Sequence, residues 1–295
     1  MISAPRIFRP AGRLLAAGTL LTAATALAGC AQIPSSDRAS CAPTELFAVE
    51  RSGEGSGPRI TDDGVATMRI SVDFADGRPA IEDVPVSPNP DGTPGAIRVG
   101  ALLPGIVELA RCAAAGETVS ATMTEAEFSG SLQPGADPNA EQTVTIAVDR
   151  VYHSAASGRI APQQNGIPAV VNAPGGGHGV TMPAGAPPTE LRVAETISGF
   201  GTPIAEGDVV LVDYSLYSWT DGELITSSWS GVQPERFAAA DNDDPFGLSP
   251  ALIGLANGSQ LVLVVPGERL AAAGMAVVDP GDAVVMVVDV LGVER

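Results

Sequence analysis

Apolar and polar residues alternate through Asp208-Val-Val-Leu-Val-Asp-Tyr-Ser-Leu-Tyr217, the period of two expected of a half-buried strand. Trp219-Thr-Asp-Gly222 follows as a hairpin turn of the Asp-Gly kind. Ser249-Pro250 reads as a helix start, with serine as N-cap and proline at the first helical position. That helix is expected to carry Leu252 and Leu255 on one face and to stop at Gly258. Two further strands follow: Gln260 to Val265, ended by Pro266-Gly267, and Ala283 to Val290.

Part of this pattern occurs earlier in the chain. Gly247-Leu248 precedes Gly258 by the same spacing with which Gly105-Ile106 precedes Gly116. A short strand follows each later glycine, Thr118 to Thr124 in one copy and Gln260 to Val265 in the other. Each copy closes on a valine-rich strand, where Val144-Thr-Ile-Ala-Val-Asp149 is matched to Val284-Val-Met-Val-Val-Asp289. The earlier strand has a counterpart in Met68 to Phe74, which runs into Asp76-Gly77. The pattern predicts a duplicated α+β unit, with antiparallel strands wrapped on one short helix. Between the copies, His153 to Pro188 carries Gly175-Gly-Gly177 and Pro187-Pro188 and reads as a linker extended along the surface.

Composition narrows the chemistry. The chain has 34 acidic and 16 basic residues and a formal net charge of −18, so it is not expected to bind nucleic acid through phosphates. Every basic residue is arginine, which excludes a catalytic lysine. Gly 34 and Pro 25 suit a loop-rich β protein better than a helical bundle. His153 and His178 stand isolated in loop sequence, and Asp241-Asn242-Asp243-Asp244 lacks the alternating spacing of a calcium loop, so no metal site and no cofactor is expected. Two loop histidines support neither a Ser-His-Asp nor a Cys-His arrangement. Trp219 and Trp229 flank the hairpin, either to present a proline-binding surface or to pack against it.

The amino-terminal segment reads as an export signal. Arg6, Arg9 and Arg13 precede an uncharged stretch from Leu14 to Gly29, too short and alanine-rich for a membrane span. It ends in Leu27-Ala28-Gly29-Cys30, similar to the bacterial lipobox, which implies cleavage after residue 29 and a lipid on Cys30. Residues 30–42 then form a polar tether. The expected location is the outer face of a membrane, held by lipid. Cys41 and Cys112 remain, and in an oxidising compartment they are either one disulfide or two separate buried thiols.

From Glu190 to Val293 the chain resembles an FKBP-type peptidyl-prolyl cis–trans isomerase domain. The resemblance rests on Gly199-Phe200-Gly201, Glu206-Gly207-Asp208, Asp213-Tyr214, Asp221-Gly222, Ser227-Ser228 and Asp279-Pro280-Gly281-Asp282, in that order. The layout with Gly166-Ile-Pro168 and Pro187-Pro188-Thr-Glu-Leu-Arg192 is similar to two-domain FKBP lipoproteins of high-GC Gram-positive bacteria. It implies two FKBP-like units, each a curved antiparallel sheet on a short helix: a degenerate one over residues 43–152, a linker over 153–189, and an isomerase domain over 190–295. Partners would be proline-containing segments of secreted proteins, assisted in folding at the membrane.

The chemistry implied has no covalent step. The planar X-Pro amide resists rotation by about 20 kcal/mol. Twisting the amide destroys its resonance and lowers its polarity, so a dry apolar pocket favours the twisted state. Matched residue by residue, Tyr214 is the wall tyrosine and Val278 the branched aliphatic before the last strand. Ile225-Thr226 replaces a Phe-Asp pair, Leu248 the floor tryptophan, Leu270 a loop tyrosine and Met286 an inner phenylalanine. Four aromatic rings and one carboxylate are therefore absent. The expected site combines Tyr214, Ile225, Leu248 and Val278 as the reacting walls with Thr226, Leu270 and Met286 as further contacts. The alternative is a binding module of the same fold without useful turnover. In the first unit Ile106 stands at the floor position and Glu125 to Asn139 shows no pocket residues, which implies a structural remnant.

Overall fold

In the computed structural model, which describes residues 41–75, 78, 80–131, 137–174 and 176–294, the alternating segments are strands. The first part runs β1 (Glu50–Ser52), β2 (Ser56–Arg59), β3 (Val65–Phe74), β4 (Ile81–Pro85), β5 (Ile97–Arg98), α1 (Pro104–Ala110), β6 (Ala114–Ala115), β7 (Thr118–Thr124), α2 (Glu125–Ser129) and β8 (Glu141–Tyr152). A middle stretch holds β9 (Arg159–Ile160), β10 (Ala169–Asn172) and β11 (His178–Thr181). The last part runs β12 (Arg192–Ser198), β13 (Val209–Ser218), β14 (Leu224–Ser227), β15 (Glu235–Ala238), α3 (Leu248–Leu252), β16 (Gln260–Pro266), α4 (Gly267–Ala272) and β17 (Ala283–Glu294). The export signal, Cys30, residues 31–40 of the tether, Asp76-Gly77 and Gly175 lie outside the described residues.

The strands form two main antiparallel sheets, one in order β1-β7-β8-β3-β4 with β5 also on β3, the other β14-β13-β17-β16-β12-β9 with β15 also on β13. Setting β9 aside and reading the second sheet from β12, the two orders coincide strand for strand. An irregularity recurs as well. Thr67 faces Arg150 and Met68 faces Val148, which leaves Asp149 as an extra residue. Leu211 faces Gly292 and Val212 faces Val290, which leaves Leu291. Such bulges twist a strand and redirect its side chains. Gly116 and Gly258, just before β7 and β16, both hold positive φ (86° and 84°), a conformation that suits glycine.

Each sheet closes its concave side on a short helix. Ile106, Leu109 and Ala110 of α1 join Met68, Val119, Val144 and Ile146 in the first core. Leu248 and Leu252 of α3 join Val210, Leu261, Leu263 and Met286 in the second. Cys41 is disulfide-bonded to Cys112, just beyond α1, over a separation of 71 residues. The two sheets meet through Val65, Ala96 and Tyr152 of the first and Leu211 and the bulged Leu291 of the second, inside one compact unit.

Three sequence expectations need correction. The strand match is displaced by two residues: Val72 pairs with Val144 as Leu216 pairs with Met286, so Val144 corresponds to Met286, not Val284. A run of valines fits either alignment, and a two-residue slip keeps the same face. Helix α3 is capped by Gly247 at φ 75°, with no serine cap; Asp244 accepts from the amides of Phe246 and Ser249 at 3.1 and 2.8 Å. It ends at Leu252, because Ile253 turns extended and Gly254 sits at φ 87°, so Leu255 lies beyond it. The linker is not merely extended: β9 joins the second sheet beside β12, and β10 and β11 pair as a hairpin. Val170, Val180 and Met182 around that hairpin pack on Tyr217, Trp219, Val262, Val264, Val285 and Val287, the outer face of the second sheet.

Candidate functional site

The concave core of the second sheet gathers most of the expected site residues. Leu248 from α3, Leu270 from α4 and Met286 from β17 are buried, at 0, 0 and 3% exposure. Tyr214 and Val278 are half-buried and pack against the same cluster. Ile225 and Thr226, on β14, are not part of it; both face solvent. The site therefore has an apolar floor, one wall tyrosine and one branched aliphatic, with the β14 pair outside.

Sequence matching missed two aromatic neighbours, Phe237 and Phe246, both half-buried on this cluster. Strand β15 pairs with β13 and places Phe237 opposite Val210, so its ring meets the Tyr214 ring edge-on at 6.5 Å and 79°. The Phe-Ala after Glu235-Arg236 is a weak apolar signal, and only the strand pairing shows where it lands. Glu235 lies two residues from Phe237 and so on the same face. Burial, and then the negative charge of Glu235, push the Tyr214 phenol above its ordinary value, so it stays a neutral hydroxyl donor around neutral pH.

The turns around the site are fixed by side chains. Asp282 accepts from Ser218 Oγ at 2.8 Å, Thr220 Oγ1 at 2.7 Å and the Thr220 amide at 3.1 Å, which pins the Asp221-Gly222 hairpin to the start of β17. Burial pulls the Asp282 carboxyl upward, yet these bonds and the Ala283 amide outweigh it and hold the group below its ordinary value. Arg269 of α4 donates to the carbonyls of Pro245 and Asp244 and to Asp243, so the acidic turn before α3 is tied to α4.

On the opposite face of the sheet lies a buried polar cluster that sequence reading did not anticipate. His178 stands in β11 with its side chain fully buried, not isolated in a loop. Its Nδ1 lies 3.2 Å from Ser215 Oγ and its Nε2 3.1 Å from Asp289 Oδ1. Asp289 also accepts from Gln260 Nε2 at 2.8 Å and from the Ala156 amide at 2.7 Å. A Ser-His-Asp arrangement is therefore present, against expectation. Ser215 is 1% exposed, so no substrate reaches it, and the arrangement satisfies polar groups that the hairpin would otherwise bury unpaired.

The tryptophans pack. Trp219 lies in the outer apolar layer and donates Nε1–H to the Gly185 carbonyl at 3.3 Å. Trp229 is wedged between His178, edge-on at 5.4 Å, and Arg98, 5.5 Å over its ring. A cavity of about 640 Å³ opens beside it, lined by Asp62, Asp63 and Arg98 of the first part, Asn172 of the hairpin, and Trp229. Tyr214, Leu248 and Met286 do not line it.

No family model matches the chain. Among curated proteins, an FK506-binding protein of Streptomyces anulatus is 27% identical over 119 residues, which cover 39% of this chain and 94% of that protein. Among solved structures, the three FKBP domains of wheat FKBP73 align over 83% of this chain and 94% of that one, at 14% identity and TM-score 0.33. FkpA from Escherichia coli aligns over 45% of this chain and 54% of its own, at 22% identity and TM-score 0.31. A peptidyl-prolyl cis–trans isomerase from Pseudomonas syringae aligns over 36% and 76%, at 21% identity and TM-score 0.29. A stretch of this chain is thus similar to an FK506-binding protein over nearly that relative's whole length.

Proposed function

We propose that this protein is an FKBP-type peptidyl-prolyl cis–trans isomerase that assists folding of secreted or cell-surface proteins. The observation that carries the reading is the Tyr214–Phe237 edge-on pair over the apolar floor of Leu248, Leu270 and Met286. The half-buried Tyr214 and Phe237 rings would meet a proline ring, with Leu248, Leu270 and Met286 closed beneath them, and the Tyr214 hydroxyl supplies a donor for a peptide carbonyl. Val278 completes the wall; Ile225, Thr226 and the rest of β14 would meet residues flanking the proline. Isomerisation would follow from stronger binding of the twisted, less polar amide. The matching strand orders and bulges support a second element of the reading, that both sheets descend from one FKBP-like unit. Export, lipidation of Cys30 and an extracytoplasmic location follow from the lipobox-like segment. The formal charge of −18 argues against nucleic-acid partners.

A second reading is favoured by one feature: Leu248 and Leu270 have no exposed surface. A floor this closed leaves only the half-buried Tyr214, Phe237 and Val278 for contact, which suits a module that holds proline-containing segments at a shallow surface without turning them over. Exchange NMR on a short apolar-Pro peptide separates the two. Acceleration that is lost in Tyr214→Ala establishes the isomerase. Peptide-induced shifts around Tyr214 without acceleration establish the binding module, and no shifts refute both. Anchoring is tested by incorporation of labelled fatty acid, which Cys30→Ser should abolish.

A further inference from the structure

Besides its apolar contact with the second sheet, the first sheet reaches into it through a buried ion pair. Arg98, the last residue of β5, donates from Nη2 to Asp213 Oδ1 at 2.5 Å, and Asp213 is 0% exposed. The same guanidinium donates from Nε to the Gly231 carbonyl at 2.9 Å, and the Arg98 amide donates to the Val232 carbonyl at 2.9 Å. Gln233 Nε2 donates to Ser87 Oγ at 2.5 Å. Every one of these bonds ends on Asp213 or on the loop from Ser228 to Pro234, which joins β14 to β15.

That loop leads directly to the aromatic pair. Asp213 Oδ1 also accepts from Ser228 Oγ at 2.8 Å, and Ser228 Oγ accepts from the Tyr214 amide at 2.9 Å. At its other end the loop enters β15, which carries Phe237. A continuous path therefore runs from Arg98 through Asp213 and Ser228 to Tyr214, and a second through Gly231 and Val232 towards Phe237. Asp213 Oδ2 is buried without a partner, so the carboxylate depends on Arg98 for its countercharge.

We propose that the first sheet positions the aromatic wall of the candidate site on the second, with Arg98 as the positioning residue. The planar fork of an arginine bonds Asp213 and the Gly231 carbonyl at once, a task that the single point charge of lysine cannot share out in the same way. Held there, the Ser228–Pro234 loop keeps Tyr214 and Phe237 in edge-on contact. Released, the loop would open and the aromatic wall would lose its fixed spacing. The effect on catalysis rests on the isomerase reading; the ordering of the loop does not.

The test uses the full chain. Arg98→Gln leaves Asp213 buried and uncompensated and is expected to lower stability broadly. The paired variant Arg98→Met with Asp213→Leu removes the clamp without an orphaned charge, and Arg98→Lys restores the charge without the fork. Amide hydrogen exchange at Trp229–Gln233 is measured beside peptide isomerisation and melting temperature. The paired variant should melt close to the parent, exchange about tenfold faster in this loop and lose about tenfold in turnover. Arg98→Lys should recover melting temperature but not loop protection. Unchanged loop exchange in the paired variant overturns the proposal. A parent protein without isomerase activity refutes the isomerase reading, and the loop exchange then decides positioning alone. If the paired variant does not fold, Gln233→Ala and Ser87→Ala remove a clamp contact without touching a buried charge. About threefold faster loop exchange in them supports the proposal, and parental exchange overturns it.

Discussion

The two sheets share strand order and the site of a bulge, yet they bury their faces differently. In the first, β7 and β8 alternate: Val119, Ala121, Met123, Val144 and Ile146 are buried, while Thr143 and Thr145 on the other face are half-exposed. In the second, β16 and all of β17 up to Val293 are buried on both faces. The register places Thr143 and Thr145 where the second sheet has Val285 and Val287. One topology thus supports a one-sided and a two-sided sheet. The difference lies in what covers the outer face: the β10–β11 hairpin covers the second, and among the described residues no such hairpin packs on the first.

The largest expected effect comes from removing that cover. Replacing residues 167–182 with a Gly-Ser linker would expose the layer of Tyr217, Trp219, Val262, Val264, Val285 and Val287. Each large apolar side chain returned to water costs roughly 1.5–3 kcal/mol, so a loss of about 5 kcal/mol or more is expected. Calorimetry should then show the second sheet unfolding or aggregating first. A melting curve like the parent's would show that the hairpin is dispensable.

Next comes the disulfide, which belongs to the first sheet alone. Its 71-residue separation implies a loss of about 4 kcal/mol on conversion of Cys41 and Cys112 to serine. Exchange protection should fall in β3, β7 and β8 and hold in β16 and β17. Equal loss in both sheets would mean that they unfold as one cooperative unit.

A smaller effect tests the outer faces position by position. Val287→Thr buries a hydroxyl whose cross-strand neighbour, Ser215, is already engaged by His178, and should cost about 1–3 kcal/mol by denaturant melts. Thr145→Val, its counterpart on the open face, should change stability by less than about 0.5 kcal/mol. Similar costs at both positions would contradict the difference in cover.

The smallest effect is in pH. Burial, before any other influence, raises the phenols of Tyr152, Tyr214 and Tyr217 above their ordinary value. The folded chain then holds these protons more tightly than the unfolded one. Their contribution is fully present below about pH 10 and is lost as pH rises through the raised values. Asp282 acts in the opposite sense: its depressed carboxyl stabilises at neutral pH, and that share is lost as pH falls below about 4. Phenolate absorbance during an alkaline titration should rise late, and Asp282→Asn should flatten the acid limb of the stability profile. Tyrosines titrating at the ordinary value would contradict the burial argument.

Much of the fold was legible. Strand β13, the Asp-Gly hairpin and the recurrent Gly105/Gly247 and Gly116/Gly258 pairs were visible as local pattern; Gly116 and Gly258 correspond in the final register, whereas Gly105 lies inside α1 and Gly247 caps α3. The cysteine pairing was one of two open readings, and the structure contains the disulfide. The candidate site was legible only in part. Leu248, Leu270 and Met286 come together with Tyr214 and Val278, whereas Ile225 and Thr226 do not. Phe237 escaped notice because its place depends on β15 pairing back to β13, a contact that no local pattern encodes.

By itself the sequence determined the strands β7, β13, β16 and β17 and the glycine turns that enter β7 and β16, because these depend on residues a few positions apart. It also held an unused clue: Val284 to Val288 is an unbroken apolar run, the mark of a strand covered on both sides. Only the tertiary structure decided what does the covering. Asp213, Ser215 and Asp289 sit on the outer face of the second sheet, and their partners, Arg98 and His178, come from remote parts of the chain. A buried polar group must be paired, but its own neighbourhood in sequence does not name the partner. That choice was made when the hairpin and the first sheet packed against the second.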